Sequence, residues 1–254
     1  MILILSIDNE LSTDHVINWL HFYNKTFDRI NEDRRLTAEI KIDNEGKQLC
    51  VISEKYYDLQ SYQSYWYRRG DFHLNIKHLN GDSEIIKNIN ENNKECNFDI
   101  QDYIHHFLHG NIKSINGFHD NNINKLCELD IAQKVGLNIP HTLITSSKLS
   151  VQRFIDTHKE IIVKSIKNSL HFTINDISFS QPTLILEKKV VDSFPDYFMP
   201  IKLQKYIEKA FELRVFFLAG SFYASAIFSQ NDEQTKIDFR NYNFTNPNRV
   251  VPYN

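Results

Sequence analysis

The sequence predicts an α/β protein, and three observations support this class. The chain opens on a continuous apolar run, Ile2–Ile7, of the kind found in a strand buried in a parallel sheet. A segment with apolar residues at helical spacing follows, and a second strand is predicted at Thr26–Ile30. Farther along, short apolar strands keep alternating with amphipathic helices. This order is typical of a parallel sheet with helices packed on its faces.

Composition limits the function classes. The chain has 254 residues, of which 41% are hydrophobic and 24% charged, as in a soluble protein of two or three packed units. A net charge of −3 gives no general attraction for nucleic acid or for an anionic membrane, so neither is an expected partner. Three dispersed cysteines and the lack of a signal-peptide pattern predict a cytoplasmic protein. With only 7 glycines, the chain contains neither common glycine-rich phosphate loop.

The first half of the chain is predicted to continue with a helix, a hairpin, a strand and a long helix. Ser12 or Thr13 is expected to cap the first helix. A hairpin is predicted around Asn44–Gly46, and a strand at Tyr65–Gly70. The segment from about 83 to 109 is predicted to be helical, with a break near Asn90–Asn93.

The second half is predicted to start near residue 121, and Gly136 is expected to cap the carboxyl end of its first helix. The remaining elements are predicted in this order: helix Asn122–Val135, strand Thr142–Thr145, helix Ser147–Thr157, strands Ile161–Lys164 and Thr183–Val191, a strand from Ile201, and a hairpin over Glu212–Ile227. Polar side chains collect at the ends of the last strands, as expected of a protein that binds a charged ligand.

Three separated stretches, in this order, resemble the ATP-grasp ligases. They are Asn124–Lys125 with Ala132, Gly136, Pro140 and Thr142; Ile161–Lys164; and Gln204–Ile207 with Glu212–Arg214 and Asp238–Asn241. Two further stretches, Trp66–Gly70 and Phe228–Tyr242, are similar to the graspetide ligases that mature microviridin-type peptides, and most of all to the grasp-with-spasm subgroup. The resemblance covers nearly the whole chain, and its specificity comes from the order of the motifs.

The resemblance implies an ATP-grasp architecture with an amino-terminal pre-ATP-grasp α/β domain. That domain would recognise the peptide and would cover residues 1–118, the central ATP-grasp domain would cover 119–200, and the carboxy-terminal domain would begin at 201–254. The resemblance also implies the activity. ATP would phosphorylate side-chain carboxylates of a ribosomal precursor peptide, and a hydroxyl or amine of that peptide would displace phosphate to close an ester or amide cross-link. ATP and Mg²⁺ are the implied cofactors, and a homodimer is left open.

The family pattern also assigns roles to residues. Lys125 and Lys164 would bind the ATP phosphates, the backbone at Lys205 and Tyr206 would bind adenine, and Glu212 would hold the ribose. The residues that would face the reacting phosphate are Arg214, Arg240 and Asn241. Arg68 and Arg69 are assigned to peptide binding, because arginine binds carboxylates through two parallel hydrogen bonds; protection of a strand edge is the competing interpretation.

The sequence departs from the family pattern in two places. The loop after Lys164 lacks the glycines that many ATP-grasp enzymes place over the phosphates, and Lys167 is expected to supply charge there instead. The family's magnesium ligands, an acidic residue and then a Glu-x-Asn motif, are expected beyond Asn254, so no metal ligand is assigned within the chain. This second departure favours an incomplete enzyme or a relative that only binds.

Two other functions stay open. One is a carboxylate–amine ligase that adds an amino acid to a protein or small molecule, and the other is a non-catalytic module that binds a leader peptide. His105 and His109 have the spacing of a two-histidine metal site, but without an acidic partner an ordinary polar helix end is the preferred interpretation. Cys127 is interpreted as a small packing residue rather than a nucleophile, because no histidine is placed to activate it.

Overall fold

The computed structural model describes residues 1–121, 123–167 and 170–253. It divides the chain into two compact units, Met1–Asn122 and Ile123–Asn254. In the described part of the chain, no helix is both long and apolar enough to cross a lipid bilayer.

Unit 1 combines a parallel sheet with a small antiparallel one. The elements are β1 (Ile2–Ser6), α1 (Leu11–Phe22), β2 (Phe27–Asn31), β3 (Thr37–Asp43), β4 (Gly46–Ile52), β5 (Tyr56–Asp58), β6 (Ser64–Tyr67), α2 (Glu84–Asn111) and β7 (Lys113–Ile115). The parallel sheet has the order β2-β1-β6-β7, and β3, β4 and β5 form the antiparallel sheet. The predicted opening strand and the hairpin around Asn44–Gly46 are confirmed.

The core of unit 1 explains its apolar opening strand. Leu3, Ile4 and Leu5 are all fully buried, because β1 lies inside the sheet with parallel neighbours on both edges. The carboxyl half of α2 adds Ile104 and Leu108 to the same core. Strand order changes direction at β1, so the carboxyl ends of β1 and β6 flank the point where ligands commonly bind in such sheets.

Two predictions for the helices of unit 1 are wrong. The side chain that caps α1 is Glu10, which accepts a hydrogen bond from the Thr13 backbone N–H at 2.7 Å, rather than Ser12 or Thr13. The predicted break near Asn90–Asn93 does not occur, and α2 runs through it for 28 residues. Asn90 is accommodated because its side chain hydrogen-bonds the backbone N–H and C=O of Leu79, outside the helix.

The described residues of unit 2 form a four-stranded sheet, a three-stranded sheet and a separate two-stranded hairpin. The elements are α3 (Lys125–Lys134), β8 (Thr142–Ser147), α4 (Lys148–His158), β9 (Ile161–Lys164), β10 (His171–Ile174), β11 (Ile177–Ser180), β12 (Leu184–Ile185), α5 (Lys188–Asp192), β13 (Tyr197–Lys205), β14 (Glu212–Leu218), β15 (Ser221–Phe228) and β16 (Arg249–Tyr253). Strand order in the four-stranded sheet is β12-β9-β13-β8, β10 pairs with β11, and β15 lies between β14 and β16.

The four-stranded sheet of unit 2 has one apolar and one polar face. Ile161 and Leu203 are fully buried against Val151 and Ile155 of α4. Because side chains alternate along a strand, the neighbouring positions face the other way. On that second face, Lys164 of β9 stands directly opposite Lys202 of β13. This polar face carries the candidate site.

Other elements of unit 2 agree only in part with the sequence predictions. The hairpin over Glu212–Ile227 is confirmed, and Gly136 has the positive φ of 81° that suits a residue just after a helix. The helix predicted from Asn122 begins at Lys125, capped by Asn124; Asn122 itself lies outside the described residues. The strand predicted at Thr183–Val191 is wrong, since only Leu184–Ile185 is extended and α5 follows.

The predicted division at residue 200 falls inside β13, which pairs with β8 and β9. A strand that is hydrogen-bonded on both edges ties the segments before and after this point into one compact unit. The predicted division at residue 118 lies close to the boundary between the two units.

Candidate functional site

A cleft of about 1060 Å³ lies over the polar face of the four-stranded sheet in unit 2. Its walls come from α3, from β9, β12 and β13, and from residues 233–241. The polar groups that line it include Lys125, Lys164, Lys202, Asp238, Arg240 and Asn241. The charged side chains of the whole lining are four cations and three carboxylates, the latter being Glu128, Glu233 and Asp238. Glu233 pairs with Lys236, which is not part of the lining, and Asp238 pairs with Arg240, so the three lysines give the cleft the cationic surface that suits an anion.

Lys164 ends β9 and projects into this cleft. Burial lowers its pKa; Asp238 and Glu212 oppose the shift, whereas Lys209 and Arg240 add to it. Lys125, the first residue of α3, donates its ammonium to the backbone carbonyl of Lys167 at 2.7 Å. The structure therefore brings together both lysines that the sequence assigned to the phosphates.

Arg240 is oriented by Asp238. The Nε of Arg240 donates to one Asp238 carboxylate oxygen at 2.8 Å, and Nη2 donates to the other. Thr183 Oγ1 donates to the same carboxylate at 3.0 Å. Burial alone would raise the pKa of Asp238, but these hydrogen bonds lower it to about 2. The carboxylate is thus ionised, and it leaves Nη1 of Arg240 available for a ligand.

Asn241 lies beside Arg240 in the cleft wall. Its side-chain amide donates to the carbonyl of Gln234 at 3.0 Å, and its backbone N–H donates to the carbonyl of Asp238 at 3.0 Å. The amide oxygen stays free to accept a hydrogen bond from a ligand, since no described residue donates to it.

Glu212 and Arg214 lie outside the wall of the cleft. Glu212 pairs with Lys209 at 2.8 Å and accepts a hydrogen bond from Ser229 at 3.3 Å. Arg214 is exposed and lies over the Phe239 ring, with its guanidinium carbon 6.0 Å from the ring centre. Because Phe239 precedes Arg240, Arg214 borders the loop that carries Arg240.

The predicted adenine-binding residues lie at the end of β13: Lys205 is its last residue, and Tyr206 follows it. The backbone N–H of Lys205 donates to the His141 carbonyl, and that of Tyr206 donates to the Glu160 carbonyl, both at 2.9 Å. Both backbone N–H groups are therefore already engaged in hydrogen bonds within the protein. Adenine binding here stays a prediction that depends on the carbonyls.

In unit 1, Arg68 and Arg69 follow β6 and differ in their contacts. Arg68 donates to Glu10 Oε1 at 2.7 Å, whereas no described residue forms a hydrogen bond or ion pair with the exposed Arg69 side chain. Burial raises the pKa of Glu10, but the hydrogen bonds from Thr13 and the charges of Arg68 and Arg69 outweigh it and keep that pKa below its usual value.

The two histidines with metal-site spacing have different surroundings. His105 is fully buried, with Nε2 at 3.1 Å from Asp71, Nδ1 at 3.3 Å from the Tyr65 hydroxyl, and its ring stacked on Phe118. His109 contacts Ser114 through Nδ1 at 2.8 Å. Within the described residues, no group of three or more His, Cys, Asp or Glu side chains is placed to hold a metal ion.

Sequence reasoning missed Lys202, which lines the cleft. Lys202 lies in the sequence Ile-Lys-Leu-Gln, where polar and apolar residues alternate, and this period of two could have indicated that Lys202 and Gln204 share the polar face. Its position opposite Lys164 depends on strand register, which one sequence does not give.

No family model and no curated protein matches the sequence. Among solved structures, the chain is similar to a RiPP-associated ATP-grasp ligase from Chryseobacterium gregarium in complex with ADP and a leader and core peptide (21% identity, TM-score 0.79, covering 100% of this chain and 76% of that one). It is also similar to two macrocyclases from Microcystis aeruginosa MRC. One is MdnC, bound with the precursor peptide MdnA (21% identity, TM-score 0.75, covering 100% and 78%), and the other is MdnB (19% identity, TM-score 0.67, covering 91% and 75%). The chain therefore has the ATP-grasp ligase fold, as predicted.

Proposed function

We propose that this chain is an ATP-dependent ligase that closes ester or amide cross-links in a ribosomal precursor peptide. The observation that carries the proposal is the convergence of Lys125, Lys164 and Arg240 on one cleft of an ATP-grasp fold. Structures similar over the whole chain were solved with ADP and with leader, core or precursor peptides. These likenesses support a nucleotide and a peptide as the two ligands.

The chemistry needs two steps. In the first, a side-chain carboxylate of the peptide attacks the terminal phosphorus of ATP, the bond to ADP breaks, and an acyl phosphate forms. In the second, a hydroxyl or amine of the same peptide attacks the acyl carbon, phosphate leaves, and the nucleophile loses its proton. Each cross-link therefore removes the elements of one water from the peptide.

The residues of the cleft would supply charge and position rather than covalent chemistry. Phosphoryl transfer depends mainly on cations that stabilise the charge of the transferring group. The Lys125 and Lys164 ammonium groups supply point charges. Arg240, held by Asp238, would present its free Nη1 to an oxygen of the reacting phosphate.

Magnesium enters the proposal through the resemblance alone. The two carboxylates whose charges act on Lys164 already pair with cations, Asp238 with Arg240 and Glu212 with Lys209. Among the described residues, no three His, Cys, Asp or Glu side chains are grouped so that they could hold a metal ion. These residues thus do not fit a magnesium site, and no step above uses the ion.

The peptide would be recognised in part by unit 1. Arg69 presents a guanidinium without a partner among the described residues, beside Arg68 at the carboxyl end of β6. This position, next to the change in strand order, is where α/β sheets commonly bind ligands, and a carboxylate of the peptide would suit it. Whether the chain forms a homodimer is a separate question that this proposal leaves open.

The proposal is tested by the intact mass of small peptides encoded beside the gene, after co-expression with the chain. We expect the loss of one water per cross-link with the wild type and no loss with Lys164→Met. A peptide that gains the mass of an amino acid would instead support a carboxylate–amine ligase. A peptide that binds, with its mass unchanged and no ATP turnover, would contradict the proposal in favour of a binding module.

A further inference from the structure

Lys202 is a buried lysine that the proposed function does not use. Only 5% of the residue is exposed, although lysine is among the residue types that are rarely buried without a partner. It lies in the middle of β13, the strand hydrogen-bonded to β8 on one side and to β9 on the other. Its position is therefore fixed by two sheet ladders rather than by a mobile loop.

The register of the sheet aims Lys202 into the cleft. Leu203, its neighbour in sequence, is fully buried on the α4 face, so Lys202 faces the opposite way. Lys202 stands directly across from Lys164, and both line the cleft together with Lys125.

The ammonium of Lys202 has no counter-ion among the residues that the structure describes. No described residue forms a hydrogen bond or an ion pair with it. Its pKa is lowered by burial and further by the charges of Lys125 and Lys164, and only Glu128 opposes the shift. Like charges directly opposite each other destabilise a sheet, and a buried charge without a partner is costly. An anion bound in the cleft would compensate these charges.

We propose that Lys202 is a third phosphate-binding lysine, which binds the polyphosphate of the nucleotide together with Lys125 and Lys164. This inference rests on the proposed function and extends it. A peptide carboxylate carries a single negative charge and would leave three clustered ammonium groups largely uncompensated. A polyphosphate carries several charges over adjacent oxygens, so it can contact all three lysines at once. Lysine binds phosphate as a compact point charge, which suits three converging side chains.

The test is calorimetric titration of the full chain with ADP and, separately, with inorganic triphosphate. Lys202→Met keeps the length of the side chain and removes its charge. We expect it to bind both ligands at least about tenfold more weakly, because a charge-assisted hydrogen bond is lost. Lys202→Arg keeps the charge and should retain most of the affinity. Lys189→Met, on an exposed face of α5, is the matched control and should bind like the wild type.

Thermal unfolding without ligand separates this role from a structural one. Since Lys202→Met removes an uncompensated charge, we expect its midpoint to equal or exceed that of the wild type. Triphosphate should raise the midpoint of the wild type more than that of the variant. A variant that is markedly less stable, and whose folded fraction binds both ligands normally, would overturn the inference.

The outcomes also separate this inference from the proposed function. If the wild type and Lys202→Met bind ADP and triphosphate equally, the inference fails and the ligase proposal stands. If binding depends on Lys202 but no peptide is cross-linked, the phosphate site stands and the ligase proposal fails. If Lys202→Met loses only peptide binding, the occupant is a carboxylate and the inference fails. A wild type that binds neither phosphate ligand contradicts both.

Discussion

His105 in unit 1 and Lys202 in unit 2 are both basic and both at least 95% buried. They differ in their hydrogen-bond partners. His105 has a carboxylate on one ring nitrogen, a hydroxyl on the other, and an aromatic ring stacked at 4.0 Å. No described residue bonds or ion-pairs with the ammonium of Lys202, and its closest cationic neighbours repel it.

The difference shows what burial of a polar group means in each case. A buried polar group with all its partners present fixes one packing arrangement of a core. A buried charge that lacks a partner and faces a cleft instead costs stability until a ligand arrives. His105 thus belongs to the architecture of unit 1, whereas Lys202 and its neighbours have the character expected of the binding site proposed above. Substitutions should separate the two kinds of residue cleanly.

The largest effect is expected on turnover when the cleft loses Lys164. With Lys164→Met, we expect ATP-dependent ADP release to fall by at least about a hundredfold, because a cation that stabilises the transferring phosphoryl group is lost. The variant should unfold no more readily than the wild type, since burial already lowers the pKa of this lysine. ADP release is measured by a coupled assay, with Lys189→Met as the control. Undiminished release in Lys164→Met would remove Lys164 from the site.

Arg214→Met, assayed in parallel, tests one of the residues that the resemblance places at the reacting phosphate. Undiminished ADP release in this variant would remove Arg214 from the site.

Substitution of His105 should affect stability instead. We expect His105→Ala to lower the free energy of unfolding of unit 1 by about 3 kcal/mol, because it opens a cavity beside Phe118 and leaves Asp71 and the Tyr65 hydroxyl without their partner. Both tryptophans of the chain lie in unit 1, so denaturant titration followed by tryptophan fluorescence reports on this unit. ADP affinity of the folded protein should stay unchanged. A loss of ADP affinity without a loss of stability would reverse the comparison.

Because of His105, we expect the stability of unit 1 to depend on pH in the acidic range. Burial lowers the pKa of His105, opposed by Asp71 and reinforced by His119 and His109. As pH falls below the ordinary histidine value of about 6.5, the unfolded chain therefore takes up a proton that the folded chain does not, and unit 1 loses stability until the lowered pKa is reached. His105→Gln should weaken this dependence, measured as the fluorescence midpoint in urea at several pH values. An identical pH profile in both proteins would mean that His105 does not titrate in this window.

Sequence alone predicted the elements whose signal is local. The apolar run at Ile2–Ile7 and the turn around Asn44–Gly46 needed only neighbouring residues, and both formed where expected. The break near Asn90–Asn93 was wrong because the bonds that accommodate Asn90 go to Leu79, outside the helix. A propensity argument has no access to such a partner.

The candidate site was predicted in part for the same reason. Lys164 and Arg240 were found through motifs, and the structure places both in the cleft. Lys202 had no motif, and what singles it out is the pairing with Lys164 across strands 38 residues apart. Pairing at that distance depends on register, which is decided by the packing of the whole sheet.

The smallest effects are expected for Arg68 and Arg69. Like His105 and Lys202, they differ in whether a described residue pairs with them. Arg68 is paired with the buried carboxylate of Glu10, so Arg68→Gln should cost about 1–2 kcal/mol of unfolding free energy in unit 1. Arg69 has no such partner among the described residues, so Arg69→Gln should leave stability unchanged and weaken precursor-peptide binding by about tenfold at most, since an exposed arginine loses one charge-assisted contact. Fluorescence-monitored unfolding and peptide titration of both variants measure the two effects. Equal peptide affinity in Arg69→Gln and the wild type would leave Arg69 as a charged residue that protects the sheet edge. An exposed charge without a cleft around it would then not be enough to identify a binding site.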